Sequence, residues 1–318
     1  MHDIPIFLED FLNYLDTIKG KSKNTIREYY YDLRTFLRYL KIRYRLVPND
    51  IEFDEIDVSD FDSNIMKKVT LQDLFSYISF VDKQRNNSST TRARKVASIK
   101  SFFRYLHSIV NLIDENPAVN LETPKLSSKH PSYLTLNESL ELLNNIKGQY
   151  PERDYAILML FLNCGLRISE LVSIDIDRIK DDTLTVTGKG DKERTIYLNE
   201  SCIYAINEYL KIRPKSNIKD PKALFLSKRK NRLSVRAVQH LVKKHLGEAG
   251  LDTEKISTHK LRHTAATLMY KHGNVDIRAL QQILGHTSVS TTQIYTHLDD
   301  DKLRQAVKSN PLSKNTKK

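Results

Sequence analysis

The sequence predicts a mainly α-helical protein with one small antiparallel β-hairpin, which belongs to an α+β second domain. Apolar residues recur at three- and four-residue intervals over most of the chain, which is the period of an amphipathic helix. Only two short runs are rich in β-branched residues, and a glycine-bearing turn lies between them. A stretch with two prolines and no apolar period divides the chain. We therefore expect a helical domain over 1–120, a linker over 121–133 and a second domain over 134–318.

The first domain is predicted to be helical over residues 4–18, 23–44, 70–83 and 90–109. The second of these helices carries an apolar residue at every third or fourth position, as one buried face requires. Thr70 is a candidate N-cap for the third helix. Residues 48–62 contain seven carboxylates and begin at Pro48. We expect an irregular loop there, with its negative charge directed away from any phosphate backbone.

The helix predicted over residues 90–109 is a candidate DNA-binding surface. No acidic residue occurs between 83 and 113, whereas seven basic residues do. Small and basic residues on one face would let DNA approach closely, and an ordinary solvated face is the alternative. The predicted buried face holds Val96, Ile99, Phe103, Leu106 and Val110. The candidate DNA-binding residues are Arg92, Arg94, Lys95, Ser98, Lys100, Ser101 and Arg104.

The second domain opens with Thr135 and Glu138, whose spacing is that of a capping box at the start of a helix. Helices are expected over 136–146, 153–163 and 168–174, and strands over 183–187 and 194–198. The residues between the strands contain two glycines and predict a hairpin turn. The remainder is expected to be mostly helical, with a frayed lysine-rich end at 314–318.

The net charge of +12 favours a polyanionic partner such as nucleic acid, and a basic protein without a specific partner is the alternative. Residues 122–318 carry 33 basic and 22 acidic side chains, whereas residues 1–121 carry 18 and 17. The two cysteines, Cys164 and Cys202, match neither a zinc-ribbon nor a disulfide-framework pattern. The sequence shows no basic and apolar leader and no apolar run of about 20 residues. We expect a cytoplasmic protein with no membrane partner.

Cleavage of a phosphodiester without a metal requires three kinds of group, and the second domain offers candidates for each. Arginines can neutralise the phosphate oxygens with paired hydrogen bonds. A proton donor must serve the leaving 5′ oxygen, and a nucleophile must hold the phosphate covalently. The candidates are Arg167 at a break between two helices, Lys189 in the hairpin turn, His259 and Arg262 one helical turn apart, His286 and Tyr295.

Each candidate also has an ordinary structural interpretation. Arg167 could form only a structural ion pair, Lys189 could be a solvent-exposed turn residue, and a tyrosine near a chain end usually packs. His259 and His263 have the i, i+4 spacing of zinc-binding histidines. Lys260, however, stands where the H-E-x-x-H motif has its glutamate, and no third ligand is suitably placed. We therefore predict neither a metal nor a cofactor.

Taken in order, these residues resemble the active-site pattern of the tyrosine recombinase (phage integrase-like) family, and within it the Xer-type (XerC/XerD-like) recombinases. The resemblance covers the full length of the chain. In the first domain, Thr25, Tyr29, Asp32 and Leu33, with Ser98, Phe102 and Phe103, resemble the family's helical core-binding (SAM-like) domain. In the second, the matching motifs are Gly-Leu-Arg-Ile-Ser-Glu-Leu from 165, Gly-Lys-Gly-Asp-Lys-Glu-Arg from 188, His-Lys-Leu-Arg-His-Thr-Ala-Ala-Thr from 259, Leu-Gly-His-Thr from 284 and Thr-Thr-Gln-Ile-Tyr-Thr-His from 291.

The resemblance implies roles for four residues around the scissile phosphate. Arg167 and Arg262 would clamp the phosphate, and His286 would donate a further hydrogen bond to it. Glu170 would not touch the phosphate itself but would support Arg167 or His259.

Three further residues would carry the covalent and proton-transfer steps. By resemblance, Tyr295 forms a 3′-phosphotyrosyl link to DNA, Lys189 donates a proton to the leaving 5′ oxygen, and His259 assists proton transfer at the tyrosine. Residues 299–309 resemble the helix that docks into a neighbouring protomer in this family.

The resemblance further implies a C-shaped clamp of two domains around duplex DNA. Homo- or hetero-tetramers of protomers would hold two recombination sites, with an accessory DNA translocase as a further partner. Chromosome dimer resolution is the favoured role, and integration or excision of a mobile element by the same chemistry is the alternative. The acidic stretch 48–62 and the stretch between Arg262 and His286 are longer than expected, which leaves the subgroup open.

Two other kinds of protein fit the sequence less well. A type IB topoisomerase shares the tyrosine chemistry, but the small first domain argues against it. A DNA-binding protein without catalytic activity would have no need for all six candidate groups in their order.

Overall fold

The computed structural model describes residues 3–48, 50–124, 132–188, 193–273 and 275–285. The chain divides into two compact units, Met1–Ser128 and Lys129–Lys318. Each unit buries its own cluster of apolar side chains. Among the described residues, no helix combines the length and the hydropathy needed to cross a membrane.

The first unit is a group of helices around an aromatic core. Phe36 packs edge-on against both Tyr77 and Phe103, with ring centroids 5.0 and 6.1 Å apart. Thr70 and Asp73 form a reciprocal capping box at the start of the fourth helix, as the sequence predicts for Thr70. The four long helices begin and end within two residues of the predicted segments. Their bounds are α1 Ile6–Thr17, α2 Lys23–Arg43, α4 Leu71–Lys83 and α5 Ser89–Ser108, and the short helix α3 Ser63–Met66 lies between α2 and α4.

Two residues that were predicted to face DNA from α5 are instead buried in the first unit. Lys95 is 7% exposed, and its Nζ lies 3.0 Å from Oδ1 of Asp32 in α2. Ser98 is fully buried and donates to the carbonyl of Lys95. The prediction is wrong for both because α5 packs against α2 and α4 together, which makes its buried face wider than its apolar stripe. Val110, predicted to be buried, lies beyond the end of α5 and is exposed.

The other five candidates on α5 differ in how far they are available to a ligand. Arg92 and Arg94 form ion pairs with carboxylates of α4 and α2, respectively. Lys100 and Ser101 are half-buried, and Arg104 is exposed. Lys100 and Arg104 also line a surface cleft of about 620 Å³. The C-terminal half of α5 therefore offers more accessible basic groups than its first turns.

The acidic segment 48–62 is anchored to the first unit through apolar and charged side chains. Ile56 is buried in the core region, and Asp54 forms ion pairs with Arg38 and Arg85. Within its described residues, the regular structure is limited to the 3-10 turn Phe53–Glu55. The irregular loop is as predicted, and arginine side chains of the same unit neutralise part of its negative charge.

The second unit combines seven helices, among its described residues, with a three-stranded antiparallel sheet. β2 Thr183–Thr187 pairs with β3 Glu193–Tyr197 so that Thr187 lies opposite Glu193. β1 Ile179–Lys180 pairs with the other edge of β2 and was not predicted, because two residues carry no period. The helices are α6 Leu136–Asn144, α7 Pro151–Cys164, α8 Ile168–Val172, α9 Glu200–Ile212, α10 Val235–Glu248, α11 Thr258–His272 and α12 Ile277–Leu284.

The described chain after β3 is mostly helical, as predicted, and residues 213–234 form an irregular segment within it. Arg213 donates to the carbonyls of Ala223 and Leu224, and Arg232 donates to the carbonyls of Val172 and Ile174. These side chains satisfy backbone acceptors that a helix would otherwise satisfy internally. The conformation of this segment depends on hydrogen bonds between residues 10 to 60 positions apart, which no local pattern shows.

Helix α7 lies at the centre of the second unit and is buried on nearly all sides. It packs against α9 and α11, and every side chain from 156 to 162 is buried. It ends at Gly165, whose φ of +58° is a left-handed conformation that favours glycine. The turn at Gly165 places Arg167 directly before the first residue of α8. The fold class is mainly α with a small antiparallel sheet, as predicted.

Candidate active site

Arg167 and Glu170 meet at the start of α8. The backbone N–H of Arg167 donates to Oε2 of Glu170 at 2.8 Å, and Nη1 of Arg167 donates to Oε1 at 2.7 Å. Nη2 donates to the carbonyl of Gly285 at 3.0 Å. Glu170 is 1% exposed, whereas 35% of the Arg167 side chain remains accessible. A buried carboxylate thus orients an arginine that is still open to solvent.

Arg262 approaches the same carboxylate from α11. Its Nη1 donates to the carbonyl of Gly165 at 2.7 Å, and its Nη2 donates to the carbonyl of Leu284 at 2.6 Å. Nη1 lies 3.9 Å from Oε2 of Glu170. The structure therefore brings Arg167 and Arg262, which are 95 residues apart in sequence, to one buried carboxylate.

A third arginine, Arg194 of β3, completes this group and was not among the sequence-based candidates. Its Nη2 donates to Oε2 of Glu170 at 3.0 Å and its Nε to Oε1 at 3.4 Å. Arg194 and the buried Ile196 lie on the same face of β3, because strand side chains alternate. A charged residue on the apolar face of a predicted strand was the signal that could have identified it. We call Arg167, Arg194 and Arg262, with Glu170 between them, the arginine cluster.

The C-terminus of α12 forms the other side of the arginine cluster. A helix C-terminus carries partial negative charge on its unpaired carbonyls, which suits cationic partners. Three consecutive carbonyls there each accept a hydrogen bond from a different arginine: Ile283 from Arg194, Leu284 from Arg262 and Gly285 from Arg167. The cluster thus fixes the end of α12 against α8, α11 and β3.

Glu170 is held in its ionised form by this arrangement. Burial alone raises the pKa of a carboxylate, but the hydrogen bonds from Arg194 and Arg167, together with the charge of Arg194, outweigh it. The pKa of Glu170 therefore lies below its ordinary value of 4.5. At neutral pH the cluster contains one buried negative charge among three positive ones.

His259 and His263 lie one turn apart on the accessible side of α11. Their Nε2 atoms are 3.0 Å apart, so one ring donates a hydrogen bond to the other. Partial burial, followed by the charges of Arg262, Lys260 and Arg167, lowers the pKa of His259 below 6.5. His259 is therefore neutral at physiological pH and able to accept a proton. Within the described part of the chain, no group of three or more potential metal ligands includes this pair.

Three candidate catalytic residues lie outside the described residues: Lys189, His286 and Tyr295. So do residues 299–309, which were predicted to dock into a neighbouring protomer. The described residues beside them are nevertheless informative. Lys189 belongs to the stretch that joins the paired residues Thr187 and Glu193, and His286 directly follows Gly285 of the α12 end.

Family models match both units of the chain. Residues 132–302 match the phage integrase family, and residues 8–60 match the phage integrase N-terminal SAM-like domain. Tyrosine recombinase XerC of Caldanaerobacter subterraneus subsp. tengcongensis is 62% identical over 309 residues, which cover 97% of this chain and 88% of the relative. Tyrosine recombinase XerD of Haemophilus influenzae is 32% identical over 301 residues, which cover 93% and 94% of the two chains.

Solved structures share the fold. The XerH site-specific recombinase, in a post-cleavage complex with a palindromic difH substrate, matches with a TM-score of 0.67 at 21% identity. The match covers 96% of this chain and 97% of the XerH chain.

Proposed function

The chain belongs to the phage integrase family of tyrosine recombinases, and on that premise we propose that Tyr295 is its nucleophile and that Arg167 and Arg262 bind the scissile phosphate. Membership identifies the chain as a site-specific recombination enzyme. The observation that carries the assignment of the two arginines is their convergence on the buried carboxylate of Glu170, whereas the assignment of Tyr295 rests on the family motif. Two fixed guanidinium groups at one point match the charge of a phosphodiester in its transition state.

In the proposed reaction, one phosphoester bond replaces another at each step. The phenolic oxygen of Tyr295 attacks the phosphorus, and the bond from phosphorus to the 5′ oxygen breaks. The phenol proton passes to His259, and Lys189 protonates the leaving oxygen. The products are a 3′-phosphotyrosyl link and a free 5′ hydroxyl. Attack by the 5′ hydroxyl of a second strand reverses the step, so that neither a nucleotide nor a redox partner is consumed.

Arg167 and Arg262 would stabilise the charge that develops on the non-bridging oxygens. A guanidinium has five N–H donors, so Arg167 can keep its bonds to Glu170 and Gly285 and still donate to a phosphate oxygen. Its accessible fraction supports this role. His286 follows Gly285 directly, and it would add a hydrogen bond to the same phosphate.

His259 is suited to receive the proton of Tyr295. Partial burial, followed by the positive charges around it, lowers its pKa, so the ring is unprotonated at neutral pH. His263 contacts its Nε2 and would restrict the orientation of the ring.

We propose that two protomers bind each duplex site and that four protomers hold two sites together. Each duplex has two strands, and each cut consumes one tyrosine, so exchange between two duplexes requires four nucleophiles. Within the first unit, Lys100 and Arg104 of α5 would contact DNA phosphates. Such contacts position the protein more than they read sequence.

The relatives named XerC and XerD support chromosome dimer resolution as the biological role. In that role the enzyme acts on chromosomal DNA in the cytoplasm, alone or with a second recombinase, and an accessory DNA translocase would control cleavage. Integration or excision of a mobile element would use the same active site. The position of the target sequence, in the chromosome or at the ends of a mobile element, separates the two roles.

Covalent capture tests the proposed function and finds the target site. Cells that produce the enzyme are lysed in strong detergent, and DNA that stays attached to the purified protein is sequenced from its attached 3′ ends. We expect one short sequence to be recovered with the parent enzyme and none with Tyr295→Phe. Equal recovery with both proteins would refute the assignment of Tyr295.

A further inference from the structure

We propose that Arg194 is a positioning residue that aligns the two phosphate-binding arginines with the end of α12 by acting through Glu170. This inference rests on the proposed function, because it concerns how Arg167 and Arg262 are held for phosphate binding. Three observations carry it: the complete engagement of the Arg194 guanidinium, the charge of the buried Glu170, and the close packing of Arg194 on Gly285.

All three guanidinium nitrogens of Arg194 contact acceptors of the protein itself. Nε and Nη2 contact the two oxygens of Glu170, and Nη1 donates to the carbonyl of Ile283. The side chain is 15% exposed, compared with 35% for Arg167. Arg194 therefore links Glu170 to α12 through hydrogen bonds, and little of its side chain is accessible to a phosphate.

The charge of Glu170 depends strongly on Arg194. The hydrogen bond from Arg194 is the largest of the influences that lower the pKa of Glu170, against the opposing effect of burial. Without Arg194, the pKa of Glu170 rises and the carboxylate loses one of its two direct arginine partners. A protonated Glu170 no longer holds Arg167 by charge, so the geometry of the phosphate site becomes sensitive to mild acid.

Close packing explains why the end of α12 follows the position of Arg194. Gly285 has a φ of +63°, and a Cβ at this position would lie 2.8 Å from Cδ of Arg194. The aliphatic part of Arg194 therefore fills the space beside Gly285, the residue that directly precedes His286. A shift of Arg194 would move both Glu170 and the start of the segment that carries His286 and Tyr295.

The test compares Arg194→Met, which keeps the aliphatic bulk, with Arg194→Lys, which keeps the charge but not the fork. Arg178→Met is the matched control. Arg178 is half exposed and pairs at 2.9 Å with Glu193, which lies beside Arg194 in β3. Single-turnover cleavage is measured on DNA that carries the sequence recovered by covalent capture, at a saturating concentration. DNA affinity is measured separately. We expect Arg194→Met to cleave about 10²-fold more slowly at unchanged affinity, the usual scale for a small misplacement of reacting groups. We expect Arg178→Met to cleave as the parent does.

The pH profile separates positioning from a general loss of structure. In Arg194→Met the cleavage rate should fall more steeply in acid than in the parent, below the pH at which His259 gains its proton, because Glu170 is then protonated more readily as well. In a Glu170→Gln background, Arg194→Met should add little further loss, since both changes act through one carboxylate. Circular dichroism verifies the fold. If Arg194→Met does not fold, Arg194→Lys carries the test and should show reduced cleavage with an intact spectrum.

Four results would overturn the inference: parental rates in both Arg194 variants, an acid limb no steeper than that of the parent, independent losses in the double variant, or restored cleavage when the 5′ oxygen is replaced by sulfur. The last result would mean that Arg194 acts through the proton donor of the hairpin. A failure of the proposed function gives a different result: the parent enzyme itself would then form no covalent adduct with DNA.

Discussion

Replacement of Glu170 by glutamine should destabilise the fold much more than an ordinary surface change. Glu170 is 1% exposed, and it lies 2.7 Å from Arg167 and 3.0 Å from Arg194. Loss of one partner from a buried ion pair costs about 3–5 kcal/mol. The arginines keep their carbonyl partners at Gly165 and the α12 end, so we expect the lower part of that range, about 3 kcal/mol.

The sign of the pH dependence follows from the depressed pKa of Glu170. Its stabilising effect is full above its ordinary pKa of 4.5 and is lost as the pH falls through the lower folded value. The difference in unfolding free energy between the parent and Glu170→Gln should therefore be constant near neutral pH. It should shrink once the pH falls below 4.5, because only the parent gains a proton at this position.

Urea denaturation followed by far-UV circular dichroism measures this difference, because the chain has no tryptophan. Glu208→Gln is the matched control, since Glu208 pairs with an exposed lysine one turn away and should contribute at most about 1 kcal/mol. A Glu170→Gln variant as stable as Glu208→Gln would refute the reasoning. So would a difference that does not shrink in acid.

Four further predictions concern chemistry and DNA binding. Lys189→Ala should slow cleavage by about 10²–10⁴-fold and recover on a substrate with sulfur at the 5′ bridging position, whereas Arg167→Ala should not recover; equal rescue of both would contradict the proton-donor role. Cleavage should persist in excess EDTA, and a strict requirement for magnesium would contradict the mechanism. DNA affinity should fall steeply with salt. Arg104→Ala should weaken binding, whereas Lys95→Ala should chiefly lower stability because it leaves Asp32 buried without its lysine; the opposite pattern would restore Lys95 as a DNA contact.

Local patterns predicted the helices of the fold well, and long-range partners explain where they failed. The apolar period of α2 and the capping residue of α4 are properties of neighbouring residues, so they are visible in one sequence. Lys95 looked like a surface residue because lysine is seldom buried. Its partner, Asp32, is 63 residues away, and no local pattern shows that the two meet.

The candidate site shows the same division between local and long-range information. Arg167, Glu170 and Arg262 were identified from short motifs, and the structure brings them together. Arg194 is the last residue of the motif that starts at Gly188. The motif does not reveal its function, because its partners, Glu170 and Ile283, are 24 and 89 residues away. The hydrogen bonds from three arginines to the end of α12 depend on tertiary structure, which motif spacing does not contain.

The attachment point of DNA on the protein tests the central claim most directly. The parent enzyme is trapped on captured-site DNA, digested with nuclease and trypsin, and analysed by fragmentation mass spectrometry. Residues 279–302 form one tryptic peptide that contains a single tyrosine among the 16 of the chain. We predict a 3′-phosphonucleotide on Tyr295 of this peptide. Attachment to another residue, or cleavage without any attachment, would contradict the account.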